Sequence, residues 1–395
     1  MNVALLFVYF LGLGSYVASL SAFGLAAFGP DARWVFLAGQ VAYPLGYVLG
    51  GYLSDRTRRI RPLLVIGLLV LIPAQYTLFD SGQDLGAAIV ASAVSRLCLA
   101  GNLQLIGTAL LESAGSDPFA RMRSAGTIGF GVVQALLLFL ADFSPVSVGT
   151  WDFGNAGKAG ALAYAVCLLL LAHIPIQRHS REHFEFAAAL RLWISDSRWR
   201  LLALAFVFYF GFQLVENYLG AYLNQRGGRS QVYGAWLLAV ALEVPFLFWT
   251  ARLARKFGVH ILFRIAAAMG VIRFTTVALD TLYPGTMPVL TSQVLHGMHF
   301  MGFYIGAIYW IRSSFPDHLY GSAFGTFQIA GNALGGISGN LIYGWLLSRA
   351  PVLLDIHGDA GPEPLAFFPV FASAALLQAL ILPLFMLVRQ PRFRE

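Results

Sequence analysis

The strongest constraint on the fold of this 395-residue chain is a succession of long apolar segments joined by short polar turns. A helix that crosses the hydrocarbon core of a bilayer needs about 20 mostly apolar residues. Twelve segments meet this requirement, at residues 3–28, 34–53, 62–79, 86–111, 122–141, 158–176, 201–224, 232–251, 261–282, 288–311, 321–346 and 365–388. The chain is therefore predicted to be an all-α membrane protein with twelve transmembrane helices.

The composition excludes most soluble classes of protein. Hydrophobic residues make up 58% of the chain and charged residues 11%, whereas soluble domains are about 45–50% apolar and about 25% charged. Cys98 and Cys167 both lie in apolar segments, so buried thiols are expected rather than a disulfide or a metal site. No nucleotide-binding loop, metal-ligand motif or Ser/His/Asp signature occurs, so we predict no enzyme, no cofactor and no ATP-driven step.

The basic residues indicate the orientation in the membrane. With the N-terminus placed in the cytoplasm, nineteen Lys and Arg residues fall on the cytoplasmic side and five on the other side. This asymmetry predicts that both termini are cytoplasmic, in the plasma membrane or the bacterial inner membrane. The net charge of +7 is then explained by topology, and no nucleic-acid partner is predicted. The expected partners are the lipid bilayer, a small-molecule substrate and protons.

The longest polar stretch divides the chain into two halves. Residues 1–176 are predicted to form one six-helix bundle, residues 177–200 a cytoplasmic linker, and residues 201–395 a second six-helix bundle. The centre of the linker could form a short amphipathic helix on the inner leaflet. The turns at 51–64 and 251–263 are both short and basic, and both join the second and third helix of a half. Such a repeat is typical of a duplicated transporter.

One of these turns resembles the signature of the major facilitator superfamily, which reads roughly G-x-x-x-D-[RK]-x-G-[RK]-[RK]. The matching residues are Gly51, Asp55, Arg56, Arg59 and Arg61. The usual second glycine is replaced by Arg58. The resemblance implies the major facilitator fold and a cytoplasmic gate in which Asp55 and its basic neighbours stabilise one conformation. Alternatively, the arginines only set the topology.

Four further runs resemble one branch of that superfamily. They are RMRSAGTIGF (121–130), EVPFLFWTARLARKFG (243–258), MGVIRF (269–274) and VLHGMHFMGFYIGAIYWI (294–311). The runs are similar to parts of the phenylpropionate permease, the nucleoside–proton symporters and the lactose permease, and they occur in the expected order. The resemblance implies that Arg123 and Phe130 bind substrate, because the lactose permease uses an Arg and an aromatic ring there. It also implies that Glu243, Arg273 and His296 take part in coupling.

Charged and titratable residues inside the apolar segments point to the same chemistry. A charge at the bilayer centre costs at least about 2.5–3.5 kcal/mol, so such residues usually have a partner and a function. Glu243 is predicted in the middle of the eighth helix and can carry a proton, with Arg273 as its permanently charged partner. His296 and His299 share one helical face and can relay a proton. Pairing of helices is the alternative. A metal site is not predicted, because no third ligand accompanies the two histidines.

Polar residues in other segments are candidate substrate contacts. Arg123 suits an anionic or hydroxyl-rich group, and Phe130 and Gln134 follow on the same helix. The full predicted set is Arg123, Phe130, Gln134, Asn102, Gln104, Gln213, Glu216 and Asn217. Arg96 either faces the bundle or snorkels to the interface. The fourth helix has no central carboxylate like that of the lactose permease, which argues against a strict galactoside transporter.

We therefore predict a secondary active transporter that takes up a small organic solute together with protons by alternating access. An aromatic acid, a nucleoside and a short saccharide all remain open, and the resemblance of the eighth to tenth helices favours the aromatic acid and the nucleoside. One bundle of twelve helices is expected to work as a monomer. The alternative within the same class is a proton-coupled efflux antiporter. A sensor or scaffold derived from a transporter is a different class, and it would normally need a soluble output domain, for which no loop is long enough.

Overall fold

The computed structural model describes residues 2–57, 59–82, 84–114, 116–143, 152–173, 186–195, 197–285, 287–316, 319–353, 364–385 and 388. The first half of the chain forms six helices. They are α1 Asn2–Phe28, α2 Ala32–Thr57, α3 Ile60–Asp80, α4 Leu85–Ala114, α5 Ser116–Phe143 and α6 Phe153–His173. No β-strand occurs among the described residues. This agrees with the physics of lipid, where a backbone can satisfy its polar groups within a single segment only as a helix.

The second half is also helical but more interrupted. Its helices are α7 Phe186–Ile194, α8 Trp199–Leu214, α9 Gly220–Ala241, α10 Glu243–Phe257, α11 His260–Leu282, α12 Val289–Ser292, α13 His296–Ser314, α14 Tyr320–Gln328, α15 Gly336–Leu353 and α16 Phe368–Leu384. Two π-helical segments connect α8 to α9 and α14 to α15, at Val215–Leu219 and Ile329–Gly335. Single π-helical turns of this kind are frequent at functional sites.

Several stretches are long and apolar enough to cross a membrane. Within the described ranges there are nine, and two of them, Val3–Ser54 and Trp199–Phe257, contain 52 and 59 residues. Each of these two holds more than one helix, so the number of stretches is smaller than the number of helices. The prediction of an all-helical protein with many membrane-spanning segments is confirmed.

The eighth predicted helix, 232–251, is not continuous. Its first part lies in α9, after non-helical backbone at Gly227 and Gly228 that divides α9 into two helical parts. Its second part is α10, with a break at Leu242. Pro245 lies in the first turn of α10, where a residue without an N–H group is tolerated. Glu243 therefore begins a helix, and its prediction in the middle of a helix was wrong. The backbone N–H groups of a first helical turn have no partner within the helix and can bind a carboxylate.

The chain divides into two compact units. Unit 1 comprises Met1–Glu182 and Glu216–Leu237, and unit 2 comprises His183–Val215 and Leu238–Glu395. The limits proposed from the sequence for the two six-helix bundles, at residues 176 and 201, stay a prediction.

The two units use the same helix pairings. In unit 1, α1 packs against α5 and α6, α2 packs against α4, and α3 packs against α4 and α6. In unit 2, α8 packs against α15 and α16, α10 packs against α13, and α11 packs against α13 and α16. The helices α8, α10, α11, α13, α15 and α16 thus repeat the contacts of α1, α2, α3, α4, α5 and α6. This correspondence supports the duplication that the paired basic turns predict.

The amphipathic helix predicted in the linker exists as α7, but its largest side chain is not at a membrane surface. Trp193 is fully buried and donates its indole N–H to the carbonyl of Ala323 at 3.1 Å. Its ring stacks on Trp310 with centroids 5.7 Å apart and also contacts Phe315. The helix is thereby anchored to α13 and α14 of unit 2.

We expect Trp193→Phe to lower the stability of the protein by about 1–3 kcal/mol, because it leaves the buried carbonyl of Ala323 without its donor. The thermal unfolding midpoint of the purified protein would report this loss. Trp199 is 53% exposed, and Trp199→Phe should leave the midpoint unchanged. Equal midpoints for the two variants would show that α7 is not anchored by this contact.

Candidate functional site

A buried group of ionisable side chains lies in unit 2, on the helices predicted to carry proton coupling. Glu243 is 5% exposed at the start of α10 and lies at the contact between α10 and α13. Gly297 of α13 makes this contact possible. A Cβ atom at Gly297 would lie 2.6 Å from the backbone nitrogen of Glu243 and 2.8 Å from its Cα. The two helices therefore touch backbone to backbone at Glu243.

Arg273 is the fixed positive charge of this group. Its side chain is 1% exposed in the middle of α11, and its Nε donates to the Oε1 atom of Gln293 at 2.7 Å. Gln293 is itself held, since its amide nitrogen donates to the carbonyl of Val289 at 3.0 Å. The Nη1 atom of Arg273 has no hydrogen-bond partner among the described residues. The hydrogen bond from Nε thus orients the guanidinium, and Nη1 can still donate a hydrogen bond to another group.

The two histidines predicted on one helical face do face the same helix. The ring centroids of His296 and His299 are each 5.6 Å from the ring of Phe212 in α8. The imidazole of His299 also meets the rings of Phe208 and Phe274, at 5.0 and 5.4 Å. His296 is 4% exposed and His299 is fully buried. The imidazoles are thus enclosed by aromatic rings, where an added charge would be costly without a polar partner.

One polar residue that the sequence reasoning missed lies beside His299. Gln378 of α16 is fully buried, and its amide lies next to the imidazole. Both side chains face Gly270 of α11, where a Cβ atom would lie 2.7 Å from His299 Nε2 and 3.1 Å from Gln378 Cγ. The available signal was a single glutamine within the apolar run of the last predicted helix.

In unit 1, two of the predicted substrate residues on α5, Phe130 and Gln134, contact different partners. Phe130 is 9% exposed, and its ring contacts that of Trp236, with centroids 5.6 Å apart. Gln134 is fully buried and donates to the carbonyl of Gly14 in α1 at 3.0 Å. Gln134 therefore bridges two helices. The side chain of Arg123 lies outside the described residues.

The other predicted substrate residues are divided between the two units. Asn102 is buried, and its amide faces Gly67 of α3 at a helix–helix contact. Gln104 is half-buried on the same helix. Gln213 is 2% exposed at the end of α8 in unit 2, and Asn217 is equally buried in the π-helical segment of unit 1. The side chain of Glu216 lies outside the described residues.

The predicted gate residues lie at the end of α2. Gly51 has open space around it, and Arg56 and Arg59 are exposed. The guanidinium of Arg56 donates to the hydroxyl of Tyr52 at 3.4 Å. The side chain of Asp55 lies outside the described residues, so the gate stays a prediction.

Arg96 does not snorkel, and it forms a second buried polar centre in unit 1. Its side chain is 6% exposed, and its guanidinium carbon lies 5.3 Å from the ring centroid of Tyr16 and 5.6 Å from that of Tyr43. Gly39 of α2 admits the side chain, since a Cβ there would lie 2.9 Å from Arg96 Cγ. Cation–π contacts of this kind offset part of the cost of burying the charge. In the sequence, the signal for this contact was the presence of Tyr16 and Tyr43 within apolar segments.

Metal binding has no support in the described part of the chain, which contains no group of three or more His, Cys, Asp and Glu residues able to hold an ion.

Comparison with known proteins identifies the family. The model of the MFS_1 like family matches residues 8–351. The chain belongs to this family. It is a secondary transporter of the major facilitator superfamily and an integral membrane protein, not an enzyme. The predicted membership of the superfamily is confirmed.

Similar proteins include transporters of several solutes. The maltose permease of Geobacillus stearothermophilus is 24% identical over 326 residues, which cover 81% of this chain and 80% of the permease. The crystal structure of the nucleoside transporter NupG, as its D323A mutant, has a TM-score of 0.79 at 16% identity and covers 98% of both chains. The crystal structure of a D-xylose–proton symporter has a TM-score of 0.71 at 15% identity, covering 96% and 95%. These structures confirm the major facilitator fold.

Proposed function

We propose that this transporter of the major facilitator superfamily is a proton-coupled symporter that takes up a small hydroxyl-rich solute, a short saccharide or a nucleoside. The similarity to a maltose permease, a nucleoside transporter and a D-xylose–proton symporter supports this class of solute. An aromatic acid is the third candidate, because the runs at 243–258 and 269–274 resemble the phenylpropionate permease. The transporter is expected to work as a monomer in the plasma or bacterial inner membrane, with both termini in the cytoplasm.

The observation that carries proton coupling is the ionisable group buried in unit 2. Glu243, Arg273, His296 and His299 are between 0 and 5% exposed, on three helices that pack against each other. A buried charge is tolerated in a membrane protein when it has a partner or a function. Three of the four groups can change their charge by binding or releasing a proton. A set of this kind can hold a different number of protons in the two conformations of a transport cycle.

In this mechanism Glu243 carries the proton. It lies at the break between α9 and α10, so a change at this joint alters the environment of its carboxyl group. Arg273 keeps its charge throughout and favours the ionised carboxylate whenever the two side chains approach. His296 and His299 adjust the local charge and pass the proton. The binding free energy of the solute favours the state in which Glu243 is protonated, and this preference couples the two fluxes.

Substrate contacts are proposed in both units. Arg123 and Phe130 would bind and stack on the solute, as the resemblance of the run at 121–130 implies. Glu216 and Asn217 lie in the π-helical segment Val215–Leu219, where backbone hydrogen bonding is irregular, and Gln213 lies just before it in α8. Asn102, Gln104 and Gln134 complete the proposed set. Gly51, Asp55, Arg56 and Arg59 are the proposed gate residues.

Uptake into proteoliposomes tests this function directly. We would impose an inside-alkaline pH gradient and add labelled maltose, uridine, D-xylose or 3-phenylpropionate in turn. Symport predicts that one of these solutes accumulates and that a protonophore abolishes the accumulation. Accumulation that persists with the protonophore, or that needs a sodium gradient, would contradict proton coupling. Accumulation only with the opposite pH gradient would indicate an antiporter.

A further inference from the structure

Two fully buried polar side chains in unit 2 meet without satisfying each other. His299 on α13 and Gln378 on α16 are both 0% exposed. Neither ring nitrogen of His299 and neither amide atom of Gln378 has a hydrogen-bond partner among the described residues. Buried polar atoms are almost always hydrogen-bonded, and each exception calls for an explanation. Four such atoms in two adjacent side chains are unlike ordinary core packing.

Glycines create the space in which this pair lies. A Cβ atom at Gly270 of α11 would lie 2.7 Å from His299 Nε2 and 3.1 Å from Gln378 Cγ. On the other side, a Cβ atom at Gly211 of α8 would lie 3.3 Å from Gln378 Nε2. Gln378 thus lies between two helices that carry glycine, and it shares the space beside Gly270 with the imidazole.

Because the two units repeat the same helix pairings, the residues that face corresponding glycines can be compared between them. Gly67 of α3 faces Asn102 of α4, in the same way that Gly270 faces His299. Gly12 of α1 faces Tyr164 of α6, in the same way that Gly211 faces Gln378. Unit 1 therefore has Asn102 and Tyr164 at the two corresponding positions. Of the two pairs, the one in unit 2 joins an imidazole, which can bind a proton, to an amide whose oxygen can accept a hydrogen bond from the ring N–H.

We infer that Gln378 is a positioning residue for the protonation of His299. Its carbonyl oxygen accepts the N–H group of the imidazolium when His299 binds a proton, and the amide orients the neutral ring when the proton leaves. This role rests on the proposed function, in which His299 takes part in proton coupling. Without Gln378, an imidazolium would be enclosed by the rings of Phe208, Phe212 and Phe274, an environment that opposes charge.

Other ionisable groups of unit 2 lie on the helices around His299. Arg273 lies on α11, His296 lies on α13 one turn from His299, and Glu243 lies at the contact between α10 and α13. α8 contributes the rings of Phe208 and Phe212, and α16 contributes Gln378. A change at Gln378 alone therefore leaves all of these charges in place, so its effect on His299 can be measured separately.

Histidine NMR spectra of the purified, labelled protein across pH would test this inference without knowledge of the substrate. The signal that disappears in His299→Asn belongs to His299. In Gln378→Met, which has a similar shape but no hydrogen-bonding oxygen, the titration midpoint of His299 should fall by about one pH unit. In Gln378→Glu, which keeps an acceptor and adds a negative charge, the midpoint should rise by at least about one unit.

Shifts in opposite directions distinguish positioning from a structural role, because a loss of packing would not change sign with the charge. Gln328 is a matched control, since it is a buried glutamine of unit 2 on another helix, and Gln328→Met should leave the midpoint in place. An unchanged midpoint in both Gln378 variants, or a His299 that binds no proton while the protein stays folded, would overturn the inference. Normal proton-driven uptake by His299→Asn would instead remove His299 from the proposed function and leave the measured link to Gln378 intact.

Discussion

Replacement of Glu243 by Gln is expected to abolish active accumulation of the solute while exchange across the membrane survives. Glutamine keeps the size of the side chain and its ability to form hydrogen bonds at the start of α10, but it cannot release a proton. Exchange needs only binding and the conformational change, whereas accumulation needs a cycle in which the proton is lost. Uptake should therefore stop when the inside and outside concentrations are equal. Proteoliposomes preloaded with unlabelled solute would measure exchange beside net uptake.

A second buried carboxylate in the same unit provides the control for Glu243. Asp280 of α11 is fully buried, and its Oδ1 atom accepts the backbone N–H of Gly285 at 3.2 Å. Asp280→Asn keeps this oxygen acceptor and should accumulate the solute like the unaltered protein. Accumulation by Glu243→Gln at the normal level would show that the proton is carried elsewhere. Loss of accumulation in Asp280→Asn alone would move the proton carrier to α11.

Gly297→Val is expected to stop transport altogether, including exchange. The Cβ atom of the new side chain would lie 2.6 Å from the backbone nitrogen of Glu243, a distance that real Cβ atoms essentially never show. Because the opposing atoms belong to the backbone, α13 must move away from α10. Overpacking of this kind costs about 1–3 kcal/mol or more, and here it displaces Glu243 relative to the histidines. Exchange in proteoliposomes and the thermal unfolding midpoint would both fall.

Gly321 allows the same substitution to be made where space is available. It lies in α14 of unit 2, and a Cβ atom there has no neighbour within 4 Å. Gly321→Val should therefore transport normally and unfold at the usual temperature. If Gly297→Val kept full exchange, the close contact between α10 and α13 would not hold the proton carrier in place. If both variants failed, valine itself would be disturbing the helices.

Much of the fold could be predicted because a membrane imposes a simple rule on the chain. Each apolar segment of about 20 residues becomes a helix, since lipid offers no other partner for the backbone. The interruptions were harder to predict. Pro245 signalled the break at Leu242, but a proline is also tolerated inside membrane helices, so hydropathy gave one segment at 232–251. The π-helical segments have no hydropathy signal, because one extra residue in a turn leaves the apolar composition unchanged.

The candidate site was only partly predictable for a related reason. Charged residues stand out in an apolar segment, and Glu243, Arg273, His296 and His299 were found in this way. Gln378 was missed because a single neutral amide is common in membrane helices. Its significance comes from the position opposite Gly270 and His299, on helices that are distant in sequence. Arg96 was noticed, but its direction was open, because only the structure shows that Gly39 leaves room for its side chain beside Tyr16 and Tyr43.

Coupling between solute and proton is the central claim, and proton movement in lightly buffered, de-energised cells that express the protein tests it most directly. Maltose, uridine, D-xylose and 3-phenylpropionate would be added in turn while the external pH is recorded. Symport predicts that one class of solute makes the medium more alkaline as protons enter with it, and that Glu243→Gln gives no such change. Uptake of a labelled solute without any pH change, or with acidification of the medium, would contradict the account.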